Sequence, residues 1–229
     1  MSDIAARLDA VRERIRTAET RFGRPRGSVR LLAVSKTQPA SAVAEALRSG
    51  QHAFGENYLQ EALEKMQALA GESAEWHFIG PLQSNKTKAV AAHFDWVHSL
   101  DRLKTARRLS EQRPPERGPL NVCLQVNIDA EPSKSGVEPG ELPGLARSVA
   151  ALANLALRGL MAIPAPSGDF ERQRAGFRRL RQLFERLRED GLAELDTLSM
   201  GMSNDLEAAI AEGATLVRVG TAVFGPRDA

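Results

Sequence analysis

The first signal in this chain is a single apolar stripe. Ile4, Leu8, Val11, Ile15, Ala18 and Phe22 follow one another at spacings of 4, 3, 4, 3 and 4 residues. That is the period of one helix face. Gly23, Pro25 and Gly27 then interrupt it. Beyond that point short apolar runs alternate with helix-period segments. The runs are 29–35, 52–54, 76–79, 96–98, 120–127, 155–163, 197–200 and 216–219. Helical segments between them begin near Ala40, Glu56, Ser84, Asp101, Pro139, Asp169 and Asn204. Several runs (LLAV, VCLQV, LMAI) are almost continuously apolar, as strands buried on both faces require. Eight strands, seven intervening helices and a leading helix predict an α/β fold, either a closed (β/α)8 barrel of the TIM type or an open doubly wound sheet. The Pro/Gly-rich stretches 113–119, 138–144 and 164–168 are spaced like loops, and no linker is visible. One domain over 1–229 is expected, with residues 1–24 a helix packed on it.

Composition narrows the function classes. At 229 residues, 42% hydrophobic and 26% charged, the chain can bury a core of barrel size. No apolar run approaches the roughly 18 residues of a membrane span, and MSDIAARLDAVRERIR has no uninterrupted apolar segment of a secretory signal. One cysteine, Cys123, can form neither an intrachain disulfide nor a thiolate cluster, and its place in an apolar strand reads as a packed core thiol. A reducing, cytoplasmic setting is expected. The balance of 31 basic and 29 acidic residues argues against a nucleic-acid partner. The arginines beside the stripe Phe170, Phe177, Leu180, Phe184 and Leu187 read as a solvated helix face. Four histidines without HxH or HExxH spacing predict no metal site.

Polar and glycine-rich residues gather after the strands, where barrels of this kind carry their sites. Lys36 ends the first strand in Ser35-Lys36-Thr37. Only six of the cations are lysines, so one at the end of an apolar strand is conspicuous. Partial desolvation there would favour the neutral amine, which can form a Schiff base with a carbonyl. The plain alternative is a strand-end lysine reaching solvent. The loop Ser199–Asn204 and the segment Arg218–Thr221 follow strands seven and eight, the usual phosphate site of such barrels. Gly201 and Gly220 let backbone N–H groups approach an anion, and Ser203 can donate at the start of the next helix. Capping by Ser203, Asn204 and Asp205 would explain the same residues. A Schiff-base lysine and a phosphate cradle together suggest pyridoxal 5′-phosphate, and would also suit a phosphosugar aldolase. Glu56 and Glu61 read as carboxylates on an exposed helix face.

Several ordered motifs also resemble a known family. AVSKTQP (33–39), FGENYLQE (54–61), EWHFIGPLQSNK (75–86), Asn127/Glu131/Lys134/Gly136, GLMAIP (159–164), LSMGMSND (198–205) and VRVGTAVFGPR (217–227) are similar to those of the YggS/PROSC family of pyridoxal phosphate homeostasis proteins. The resemblance covers essentially the whole chain. It implies a barrel like the N-terminal domain of alanine racemase with pyridoxal phosphate bound. It makes Lys36 the Schiff-base lysine, Ser203, Gly220 and Thr221 phosphate ligands, Arg218 the partner of the pyridine nitrogen, and Asn57 and Met200 ring-side residues. Gln38, where relatives often carry a lysine, and the C-terminal Arg227–Ala229, where an aromatic is common, depart from the pattern.

Two functions remain open on these residues. One is an intracellular carrier and homeostasis protein for the cofactor, monomeric and without catalytic residues, with apo-enzymes or amino acids as its partners. The alternative is a racemase-like enzyme. Arg218 is a permanent cation and would leave the pyridine nitrogen unprotonated, weakening the ring as an electron sink. A two-base racemase also needs an acid/base opposite the lysine. The single tyrosine, Tyr58, is not at a strand end, and the chain has no residues to spare for a second domain. His77 and Lys134 are the remaining candidate bases.

Overall fold

The computed structural model describes residues 3–131 and 134–226. The expectation attached to Arg227–Ala229 therefore lies outside the described residues. The eight apolar runs are strands β1 (Arg30–Val34), β2 (Ala53–Glu56), β3 (Glu75–Phe78), β4 (Trp96–Leu100), β5 (Leu120–Gln125), β6 (Leu155–Met161), β7 (Thr197–Ser199) and β8 (Leu216–Val219). They lie in chain order, all parallel, and β8 returns to β1 to close a barrel. The closing ladder runs from Arg30↔Leu216 to Ala33↔Val219. Closure removes every exposed sheet edge and excludes the open doubly wound alternative.

The helices are α1 (Asp3–Arg21), α2 (Ala40–Arg48), α3 (Leu59–Ala68), α4 (Thr87–His93), α5 (Leu103–Gln112), α6 (Leu142–Ala150), α7 (Phe170–Glu189), α8 (Leu206–Ala211) and the single turn α9 (Thr221–Phe224). α2 and α7 start where the pattern places them; at α7 the Asp169 side chain accepts from Arg172 N at 2.8 Å, a side-chain cap. The other five start two or three residues later, α4 at Thr87 and α5 at Leu103 among them. β2 continues through Glu56 and Tyr58 is still extended (φ −116°), so α3 waits until Leu59. After β5 the chain first bridges Val126 to Val137, which delays α6 to Leu142. Asn204 lies in the turn ahead of α8.

The main core lies between the outer faces of the strands and the helix ring. Leu8, Val11, Ile15 and Ala18 deliver the predicted stripe of α1 to it, packing against α8 and α9. Glu19, 1% exposed on the same helix, accepts the backbone N–H groups of Gly27 (3.0 Å) and Val29 (2.9 Å) and so fixes the entry to β1. The arginines of α7 are more than a solvated face. Arg174, Arg178 and Arg181 reach the carboxylate of Glu212, 1% exposed, and tie α7 to the end of α8.

Candidate functional site

Alternation along the strands sends Leu32, His77, Trp96, His98, Cys123, Met161, Ser199, Leu216 and Arg218 into the barrel. The interior apolar groups form two small clusters, Leu32/Ala53/Leu216 with Ile79, and Trp96/Cys123/Met161. Cys123 is the expected core thiol, and burial pushes it up to about 12. Above these clusters, at the C-terminal ends of the strands, opens a cavity of about 690 Å³.

Six of the seven residues singled out in the sequence line this cavity: Lys36, Asn57, Ser203, Arg218, Gly220 and Thr221. Met200 does not. It is fully buried in the outer core, and the methionine at the cavity is Met161, on the end of β6. Period two explains the difference: β7 turns Ser199 inward, so its neighbour Met200 points out. Lys36 is the one lysine lining the cavity among the described residues. Ile163 and Met202, 43% and 39% exposed, give its rim an apolar character.

The backbone carrying Lys36 is held from below. Lys65 Nζ donates to Ser35 O (2.6 Å), Glu56 Oε1 (2.7 Å) and Glu61 Oε1 (2.5 Å). Ser35 Oγ donates to the same Glu56 oxygen at 2.6 Å, and Thr37 N donates to Glu61 Oε1 at 2.6 Å. Thr37 adopts φ +64°, a left-handed conformation that a non-glycine residue reaches only under constraint. The reading of Glu56 and Glu61 as an exposed helix face is thus corrected. Glu56 is the fully buried last residue of β2, paired with a lysine only 4% exposed. Burial pushes the Glu56 carboxyl upward, against the hydrogen bonds from Lys65 and Ser35. The rarity of lysine here was the available signal for Lys65; spacing alone did not link it to Glu56.

Arg218 enters the cavity from β8 and is 4% exposed. NH1 donates to Ser199 O (2.5 Å) and Ser199 Oγ (2.7 Å), and NH2 to Ala162 O (3.0 Å). Burial pushes its guanidinium down to about 10, so it stays charged at neutral pH. Next to it, the Ser203 turn is built by tertiary contacts. Asp205 Oδ1 accepts Met202 N at 2.6 Å, and Arg14 of α1 donates to Ser203 O at 3.0 Å while paired with Glu207. Gly201 has φ +94°, and a Cβ there would lie 2.6 Å from that of Ala209. Thr221 opens α9 directly after Gly220, where the first N–H groups have no partner inside the helix. Asn57 Oδ1 is buried without a hydrogen-bond partner on the cavity wall. The chain after β3 passes so close that a Cβ on Gly80 would meet Asn57 O at 2.2 Å.

The candidate second bases lie elsewhere. Tyr58 is 56% exposed and does not line the cavity. His77 is fully buried inside the barrel, bonded to His98 and Glu75. Lys134 pairs with Glu131 (2.7 Å) and lines a separate pocket with Gln125 and Asn127. Among the described residues no group of three or more His, Cys, Asp or Glu is placed to hold a metal, and no helix is long and apolar enough to cross a membrane.

Comparison with known proteins agrees with this geometry. Residues 6–228 match the model of the alanine racemase N-terminal domain family. The chain is 60% identical to the pyridoxal phosphate homeostasis protein of Pseudomonas aeruginosa, covering 100% of this chain and 97% of that one. It is 55% identical to the protein of the same name from Escherichia coli K12, covering 100% and 98%. PipY of Synechococcus elongatus PCC7942, solved with PLP bound, is 37% identical and superposes with a TM-score of 0.85, covering 97% of this chain and 100% of that one. The barrel, its strand-end cavity and these likenesses together place the chain in the family of pyridoxal phosphate homeostasis proteins, built on the alanine racemase N-terminal domain.

Proposed function

We propose that this protein binds pyridoxal 5′-phosphate covalently at Lys36 and serves its carriage and homeostasis inside the cell, without turning over a substrate. The observation that carries the reading is the cavity itself. One lysine from the end of β1 shares it with a buried cation from β8 and with hydroxyl and backbone donors after β7 and β8. The donor set fits the cofactor. Ser203, Gly220 and Thr221 offer a hydroxyl, a glycine backbone and a helix start to a phosphate. Arg218 uses three hydrogen bonds on the framework and, with five N–H donors, keeps others for an acceptor such as a pyridine nitrogen. Asn57 Oδ1 is an orphaned acceptor on the same wall. When bound, the cofactor supplies an electrophilic carbon and an electron-withdrawing ring; the residues here bind and orient it.

The names of the relatives, pyridoxal phosphate homeostasis proteins, support a carrier, and PipY was solved with PLP bound. Arg218 as ring partner weakens carbanion stabilisation, and Tyr58, His77 and Lys134 do not line the cavity. The proposal includes a cytoplasmic, monomeric protein whose partners are apo-enzymes or amino acids. The second reading, a racemase-like activity, is favoured by the family model alone. Borohydride reduction of the loaded protein followed by peptide mass mapping tests the proposal. The adduct is expected on Lys36, and an adduct mainly on Lys86 or Lys134 rejects it.

A further inference from the structure

An unbroken line of polar groups crosses the barrel interior beneath the cavity. Arg218 NH1 lies 2.7 Å from Ser199 Oγ. Ser199 Oγ lies 2.8 Å from His98 Nδ1, and His98 Nε2 lies 2.9 Å from His77 Nδ1. His77 Nε2 lies 2.9 Å from Glu75 Oε1 at the opposite end of the barrel. Glu75, His77, His98, Ser199 and Arg218 belong to β3, β4, β7 and β8, so only the closed barrel assembles them.

We infer, resting on the reading that Arg218 meets the ring nitrogen of pyridoxal phosphate, that Glu75, His77, His98 and Ser199 form one directional line of hydrogen bonds that positions Arg218 against that nitrogen. Donor chemistry fixes the direction. The Glu75 carboxylate can only accept, which sets the line back to Arg218: Ser199 Oγ receives the bond from Arg218, which cannot accept, and donates its own hydrogen to His98 Nδ1. His98, neutral, then carries its hydrogen on Nε2 and donates to His77 Nδ1. His77 in turn carries its hydrogen on Nε2 and donates to the Glu75 carboxylate. Every link points from the cation to the anion, so each strengthens the next.

The surroundings keep both imidazoles neutral. His77 stacks on Trp96, ring centroids 5.4 Å apart, and both histidines are fully buried. Burial lowers both below the ordinary imidazole range; Arg30 and Arg218 add to this at His98, while Glu75 and Asp95 oppose it at His77. Arg30 also holds the other oxygen of Glu75 at 2.8 Å, anchoring the far end. The four residues are positioning residues; none of them lines the cavity.

The test has two arms on the full-length protein. In the first, ring-15N histidine spectra are recorded between about pH 6 and 8. His52→Gln and His93→Gln, at exposed positions, remove the other two signals. His77 and His98 are expected as neutral Nε2–H tautomers throughout that range. A proton on Nδ1 of either, or titration within the range, overturns the line. In the second arm, binding of pyridoxal phosphate is compared with binding of its 1-deaza analogue, in which CH replaces the ring nitrogen. Ser199→Ala is expected to weaken pyridoxal phosphate about tenfold, the worth of a charged hydrogen bond, and to leave the analogue unchanged. Glu75→Gln keeps an acceptor without the charge and should act in the same direction, more weakly. Equal weakening of both ligands assigns Ser199 to packing alone and rejects the positioning role. A wild-type protein that binds neither ligand rejects the cofactor reading, while the tautomer spectra still judge the line itself.

Discussion

Lys65 Nζ donates to the carbonyl oxygen of Ser35 at 2.6 Å, one residue before Lys36. A lysine on α3 thereby fixes the backbone from which the cavity lysine projects. The same ammonium bonds Glu56 and Glu61, whose carboxylates hold Ser35 Oγ and Thr37 N.

Removing one partner of this buried pair leaves the other uncompensated. Lys65→Met should therefore cost about 3–5 kcal/mol of stability. Urea denaturation checks this. The double variant Lys65→Met/Glu56→Gln should recover part of the loss, because it removes the stranded carboxylate as well.

Ser203→Ala with Thr221→Val should weaken pyridoxal phosphate strongly, since hydrogen bonds to a charged group are worth about 1.5–3 kcal/mol each. Unphosphorylated pyridoxal should be affected little. Titration with both ligands checks the assignment, and equal losses would count against the phosphate cradle.

Glu75 has an acid-side signature. The hydrogen bond from His77, with the charge and hydrogen bond of Arg30, holds its carboxyl down to about 2 despite partial burial. A depressed folded-state value contributes stability above the unfolded value near 4.5 that is lost as pH falls towards 2. With solvent screening at a side chain 32% exposed, the contribution is on the order of 2 kcal/mol. Glu75→Gln should flatten the acid limb of the stability curve in that window. An unchanged limb in thermal melts from pH 5 to about 2 would refute the coupling.

Racemisation needs a proton acceptor on each face of the substrate carbon, and one well-placed group is worth roughly 10²–10⁴-fold. With Tyr58 outside the cavity wall, Cα hydrogen exchange of L- and D-alanine in D2O should stay near background in the loaded protein. Rapid exchange of both enantiomers, abolished by Lys36→Ala, would establish the enzymatic reading.

Much of this was legible along the chain. Strand–helix alternation, the α1 stripe and the strand-end positions of Lys36, Ser203, Arg218, Gly220 and Thr221 are local properties, set by period and by turn residues within a few positions. Met200, a ring-side residue only by the resemblance, packs in the outer core beside a strand of three residues, Thr197–Ser199, too short a pattern to show along the chain which face each residue takes. Glu56 failed because β2 outlasts its apolar run: the carboxylate is buried by a partner nine residues on, and hydrophobicity could not anticipate a strand ending in a charge.

The sequence by itself determined which residues lie at strand ends, and hence the chemistry available at the mouth. Tertiary structure alone decided which polar groups meet beneath it. His77 and His98 are 21 residues apart, and His98 and Ser199 are 101 apart. Their contact depends on the register in which eight strands close, and a slip of one residue would turn each side chain to the opposite face of the sheet.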